Sequence, residues 1–156
     1  MRFLCILPGL IALIVVAGCT ATAPSIPGIQ QPLSLNQQAH FEYDEYAFDA
    51  GINHIEIQDN QTIVVTLTIV NTGKEGLTLI ASPVLSNPVG EEYPGAEISF
   101  NSIAPNHQAT MKGSITIPEG SLNLFGQGST LKIRFQGSSP VPYETSWNID
   151  LTNLPS

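Results

Sequence analysis

Cysteine is nearly missing from this chain: it has two, Cys5 and Cys19, both close to the start. Nothing after Cys19 can form a disulfide, so the rest of the chain must be held by packing alone. Basic side chains are scarce as well. Five Lys and Arg stand against 13 Asp and Glu, a formal net charge of −8 at pH 7. Phosphate contacts need clusters of Lys and Arg, so a nucleic-acid partner is excluded. The same acidity discourages the domain from lying flat on anionic lipid headgroups. Beyond the first residues no segment keeps an apolar period near 3.6, which excludes an amphipathic helical bundle. Catalytic signatures are missing too: there is no Gly-x-Ser-x-Gly elbow, no His-Glu-x-x-His pair and no phosphate loop with lysine. Gly126-Gln127-Gly128-Ser129-Thr130 has no lysine nearby and no helix behind it, so it reads as an inter-strand loop. The expectation is a non-enzyme with no cofactor.

What is present begins at the N-terminus. Arg2 is followed by an almost unbroken apolar run from Phe3 to Val16, then by Ala17, Gly18 and Cys19. A basic start, a short apolar middle and small residues at the cut are the layout of a secretory signal peptide. The run is shorter than the roughly 20 apolar residues a membrane-spanning helix needs, and Pro8 and Gly9 interrupt it. An uncleaved anchor and an ordinary signal-peptidase site remain the competing readings. Val16-Ala17-Gly18-Cys19 resembles the lipobox of prokaryotic lipoproteins. The resemblance implies that residues 1–18 are removed and that Cys19 carries a diacylglycerol. The protein would then be tethered to the cell membrane or outer envelope, facing away from the cytoplasm.

Residues 20–38 carry no charge and hold three prolines among small and amide side chains. Such a stretch cannot bury enough surface to fold, so residues 19–39 read as a lipidated N-terminus and tether. From residue 40 to 156 the pattern is that of strands. Thr62 to Val70 sets Val65, Leu67 and Ile69 against Val64, Thr66 and Thr68, the period of a half-buried strand. Asn71-Thr72-Gly73 stops it with turn residues. Further strands are expected at Phe41–Phe48, Ile52–Ile57, Leu77–Leu85, Glu97–Ile103, Gln108–Ile117, Thr130–Phe135 and Glu144–Leu151. In the last, Thr145, Trp147, Ile149 and Leu151 point inward, and Met111, Gly113, Ile115 and Ile117 share one face of another. A short helical turn is expected near Glu119 to Leu122. Seven to eight short strands separated by Gly, Pro and Asn predict an all-β, antiparallel, immunoglobulin-like sandwich.

The block from Thr62 to Pro118 is similar to a known family. Ile63 to Leu79 joins two strands through Asn71-Thr72-Gly73, and the Gly90-to-Tyr93 turn and Ile103-Ala104-Pro105-Asn106-His107 follow. This order resembles immunoglobulin-like domains of prokaryotic lipoproteins, of the immunoprotective extracellular, unknown-function type. It implies a fold and a location and transfers no catalytic residue. The implied role is a non-catalytic module that binds another envelope protein or polymer. Desiccation-related domains and small proteinase-inhibitor sandwiches share the same grammar, which makes a stress-protective or inhibitory domain the alternative.

The candidate site residues are few. Glu42, Asp44 and Asp49 belong to an acidic stretch and form a weak calcium candidate, because Ca²⁺ takes six to eight oxygens. The spacing lacks the order of a dedicated loop, and a solvated edge strand that deters aggregation is the plainer account. His40, His54 and His107 are scattered and read as solvent-exposed. Asn60-Gln61-Thr62 is a glycosylation sequon at a turn. Tyr93 and Phe125 fall in loops, where binding residues concentrate, and are the candidate partner contacts.

Overall fold

The computed structural model describes residues 31–138 and 142–154. The signal peptide, the lipobox residues Val16, Ala17 and Gly18, and Cys19 lie outside the described residues. The described chain forms nine strands: β1 (Gln38–Tyr43), β2 (Tyr46–Gln58), β3 (Thr62–Asn71), β4 (Leu77–Ser86), β5 (Glu92–Pro94), β6 (Ile98–Ile103), β7 (Gln108–Thr116), β8 (Ser129–Gly137) and β9 (Tyr143–Ile149). One sheet runs β1-β2-β3-β7 and the other β5-β4-β8-β9, with β6 also paired to β4. Every strand pair is antiparallel. The two sheets pack as an immunoglobulin-like sandwich, as the alternating pattern predicts.

Alternation decides which side chains meet between the sheets. Ile63, Val65, Leu67 and Ile69 of β3 are buried, as are Leu131, Ile133 and Phe135 of β8 and Trp147 of β9. Phe41 and Phe48 stack at 4.8 Å across the first hairpin and reach Phe135 and Tyr143 of the other sheet at 5.0–5.6 Å. Ring pairs at this spacing add to the area they bury. Met111 shares the inward phase of β7 but is 44% exposed.

Two expectations about strands need correcting. The strand expected over Phe41–Phe48 is broken by a reversal at Asp44-Glu45, with Tyr43 paired to Tyr46, and β2 runs unbroken from Tyr46 through the strand expected at Ile52–Ile57. Asp44 takes φ +56°, a region aspartate tolerates. Gly51 lies inside β2, paired with Gln38 and Thr68 and buried. Glu42 and Asp44 therefore do not share a strand face. The short β5 was absent from the expected set, because Glu92-Tyr93-Pro94 is too brief and polar to show a period.

The tether expected over residues 19–39 also ends earlier than its composition suggests. Residues 32–37 form a strap on the sandwich. Leu33 makes an isolated parallel bridge to Trp147. Its N–H donates to the Ser146 carbonyl at 2.8 Å and its carbonyl accepts from Asn148 N–H at 2.7 Å. The Asn148 amide donates to the Pro32 carbonyl at 3.1 Å, and the Trp147 indole N–H donates to the Gln37 carbonyl at 3.0 Å. A turn at Ser34–Gln37 then feeds β1. Propensity missed this segment because its order comes from backbone pairing with a strand more than a hundred residues away.

Asn71 closes the end of β3. Its side chain is buried, donates to the carbonyls of Glu75 and Ile103 at 2.8 Å each, and accepts from Gly73 N–H at 3.0 Å. Its backbone pairs with His107 and Asn106, while Thr72 and Gly73 both donate to the Ala47 carbonyl. One residue thus ties the first hairpin, the β3–β4 loop and the β6–β7 loop. Gly73 fits because a Cβ there would sit 2.6 Å from the Ala47 nitrogen.

Gly137 ends β8 at φ +155°, where a Cβ would collide with the Thr78 carbonyl. Gly137→Ala must therefore push β8 away from β4. The expected loss is about 3 kcal/mol of stability, the range of a strained backbone position. Chemical denaturation checks it, and a loss below about 1 kcal/mol would show that the strand end yields freely.

Candidate functional site

Strand direction sends the loops 87–91, 117–128 and 150–154 to one end of the sandwich, since Ser86 is paired with Thr130 and Ser129 with Ile149. Asn87 builds the first of these loops. Its buried side chain accepts from Val89 and Glu91 N–H groups at 3.2 and 2.9 Å and donates to the Glu91 carboxylate at 2.8 Å. The loop so fixed lifts Val89 into solvent, 81% exposed. Beside it, a 3₁₀ turn at Leu122–Leu124 leaves Leu124 49% exposed. These two are the exposed large aliphatic side chains of this pole among the described residues. Sequence reasoning passed over both, since single apolar residues in polar loops carry no periodic signal; the Pro88-Val89-Gly90 tip was the only available cue.

Phe125, expected to contact a partner, is fully buried. Its ring packs edge-on against Tyr93 at 5.3 Å and its carbonyl accepts from Leu151 N–H at 2.9 Å. It anchors the β7–β8 loop to the sandwich and presents nothing to a partner. The flanking Gly126 marked a loop, but the loop folds back over the core. Tyr93 is half-buried, and its hydroxyl donates to Glu91 Oε2 at 3.4 Å. Desolvation, followed by the charge and hydrogen bond of Glu91, holds its phenol above the ordinary tyrosine value. Tyr93 stays protonated, with one edge available at the pole.

At the same end, shallow grooves flank the strap. One of about 220 Å³ lies between Leu35, the Ile52–Ile55 segment of β2 and Leu154. Another of about 610 Å³ lies between Ser34, Gln127, Asn148 and Asp150. Hydrogen bonds from the side chains of Thr152 and Asn153 lower the Asp150 pKa, so this carboxylate stays charged and caps its own turn. Its oxygens are engaged within the C-terminal segment.

The calcium candidate does not assemble. Asp44 occupies the β1–β2 turn, while Asp49 faces His40 at 2.6 Å and Glu42 lies 3.9 Å from the other nitrogen of the same ring. The carboxylates approach a histidine rather than one another. Among the described residues, no three or more His, Cys, Asp or Glu side chains are arranged to hold a metal ion. His40, His54 and His107 are all exposed. Asn60 sits at the tip of the β2–β3 hairpin, exposed, with Asp59 and Asn60 at φ +51° and +53°. The Gln61 N–H donates to the Gln58 carbonyl at 3.2 Å, and positive φ at both central residues of such a turn is the mark of type I′. The sequon is thus on an accessible tip.

No family model and no curated protein matches this chain. Among solved structures it is similar to β-glucosidase 3B from Thermotoga neapolitana, at 15% identity and a TM-score of 0.43, over 70% of this chain and 17% of that one. A β-glucosidase from Streptomyces venezuelae gives 13% identity and 0.41, over 67% and 15%. One from Kluyveromyces marxianus gives 12% and 0.43, over 69% and 15%. The chain spans less than a fifth of each of these enzymes.

Proposed function

We propose that this chain is an envelope lipoprotein whose sandwich is a non-catalytic binding module. Residues 1–18 direct export, Cys19 takes the lipid, and the domain engages another envelope protein or polymer outside the cytoplasm. The observation that carries the reading is Val16-Ala17-Gly18-Cys19 at the end of a short, almost unbroken apolar stretch of the length a signal peptide needs. Two acyl chains on one cysteine hold a protein firmly, at about 0.8 kcal/mol per buried CH₂, where one chain holds it marginally. The pole bearing Val89, Leu124 and Tyr93 is the contact surface we assign to the module, since it combines exposed aliphatic side chains with a fixed loop.

The anchor is tested by Cys19→Ser. The variant should lose lipid and leave the membrane fraction or accumulate with its first eighteen residues attached. A lipidated, membrane-bound Cys19→Ser protein would sink the reading.

A further inference from the structure

Of the ten asparagines in the chain, Asn60 alone begins an Asn-x-Ser/Thr sequence, Asn60-Gln61-Thr62. The fold places it at the tip of the β2–β3 hairpin, where Gln58 is paired with Thr62. Aspartate is ordinary at the first central position of a type I′ turn and glycine at the second. Asp59 follows that preference and Asn60 departs from it, standing at φ +53° where glycine fits best. Asparagine tolerates this region because its short amide can bond locally. Among the described residues the Asn60 amide makes no hydrogen bond. Other asparagines work for the fold. Asn71 and Asn87 tie their loops, Asn148 holds the Pro32 carbonyl and Asn153 donates to Asp150. At Asn60 the turn uses the backbone and leaves the exposed side chain idle.

Thr62 completes the sequence. Ile63 and Val65 are buried, so alternation puts Thr62 on the outer face of β3, where it is half-buried. Its hydroxyl also makes no hydrogen bond among the described residues. Thr68, further along the same face, shows the contrast, since its hydroxyl lies 2.6 Å from that of Thr110. An amide and a hydroxyl two residues on, both at one surface tip and neither used by the fold, are the chemistry of an N-linked glycan acceptor.

We infer that Asn60 is an N-glycosylation site, which takes its glycan from a polyprenyl diphosphate donor outside the cytoplasm. In that step Asn60 Nδ2 bonds to the anomeric carbon of the first sugar. The bond from that carbon to the diphosphate oxygen breaks, polyprenyl diphosphate leaves with the electron pair, and the amide gives up one proton. Nothing is oxidised or reduced. A glycan on this exposed tip displaces no buried side chain. The Gln61 carbonyl accepts from Ile117 N–H at 2.9 Å, so the tip stands beside the 117–128 loop and the glycan borders the contact pole. The inference rests on the export reading, because the step takes place outside the cytoplasm.

The test is the mass of the peptide containing Asn60, taken from full chain purified from the organism that makes it. That mass should exceed the sequence mass by at least one sugar residue. Thr62→Val keeps Asn60 and a β-branched strand residue but removes the hydroxyl, and should abolish the added mass. Thr62→Ser should retain it. Asn60→Gly, which suits the turn, should abolish it in a folded chain. An unmodified Asn60 peptide from a chain processed at Cys19 overturns the inference and leaves the anchor reading in place. A sugar that persists in Thr62→Val or in Asn60→Gly overturns it as well. A chain that keeps residues 1–18 and carries no glycan sinks both readings.

Discussion

Asn71→Ala should cost about 3–4 kcal/mol and lower the melting temperature by more than 10 °C. The side chain fills two acceptors and one donor in a place water does not reach. A buried polar group left without its partner costs about 1–3 kcal/mol, more than the bond itself contributed. Alanine strands the Ile103 carbonyl outright and leaves Glu75 and Gly73 to find partners at the rim. For a domain of this length each kcal/mol moves the midpoint by about 4 °C. Asn71→Asp should be no milder, because a carboxylate can still accept from Gly73 but cannot donate to two carbonyls. Asn87, whose bonds serve one surface loop, is the control, with about 1 kcal/mol expected for Asn87→Ala. Differential scanning calorimetry of the three variants checks the ranking. Equal losses at Asn71 and Asn87 would show that Asn71 does not join the three loops.

Trp147→Ala should be worse still for the core, at about 3–5 kcal/mol, the range for removing a large buried aromatic. Trp147 is fully buried in β9, and its indole N–H holds the carbonyl of Gln37. The substitution opens a cavity between the sheets and releases the strap at once. A domain of ordinary stability, about 5–15 kcal/mol, would be left near its threshold. Trp147→Phe separates the two effects. Phenylalanine keeps much of the ring but has no donor, so stability should fall by about 1–2 kcal/mol while the Leu33 amide exchanges markedly faster. Hydrogen exchange on this variant decides the point: unchanged protection at Leu33 would mean that the indole bond does not hold the strap.

The alternating strands were legible because burial on one face imposes a period that survives in single residues such as Val65, Leu67 and Ile69. Turns were legible only where their chemistry was local. Asn71-Thr72-Gly73 announced a reversal, but its role as a three-loop tie depends on Ile103 and Ala47, which no spacing connects to it. The reversal at Asp44-Glu45 was not legible inside the strand expected over Phe41–Phe48, because that acidic pair has the same composition as the strand edge around it. Phe125 looked like an exposed loop aromatic because a loop that folds onto the core has the same composition as one that does not. The strap was invisible for a similar reason: Leu33 owes its place to the edge of β9, and the uncharged, proline-bearing sequence around it reads as coil. For the candidate pole, the loops were legible and the exposed side chains on them, Val89 and Leu124, were not.

The anchor remains the central claim, and the mass of the mature N-terminal peptide tests it most directly. Protein extracted from its native membrane and digested should yield a peptide that begins at Cys19 and carries the added mass of a diacylglyceryl group. A peptide that retains residues 1–18, or one that contains an unmodified Cys19, would contradict it.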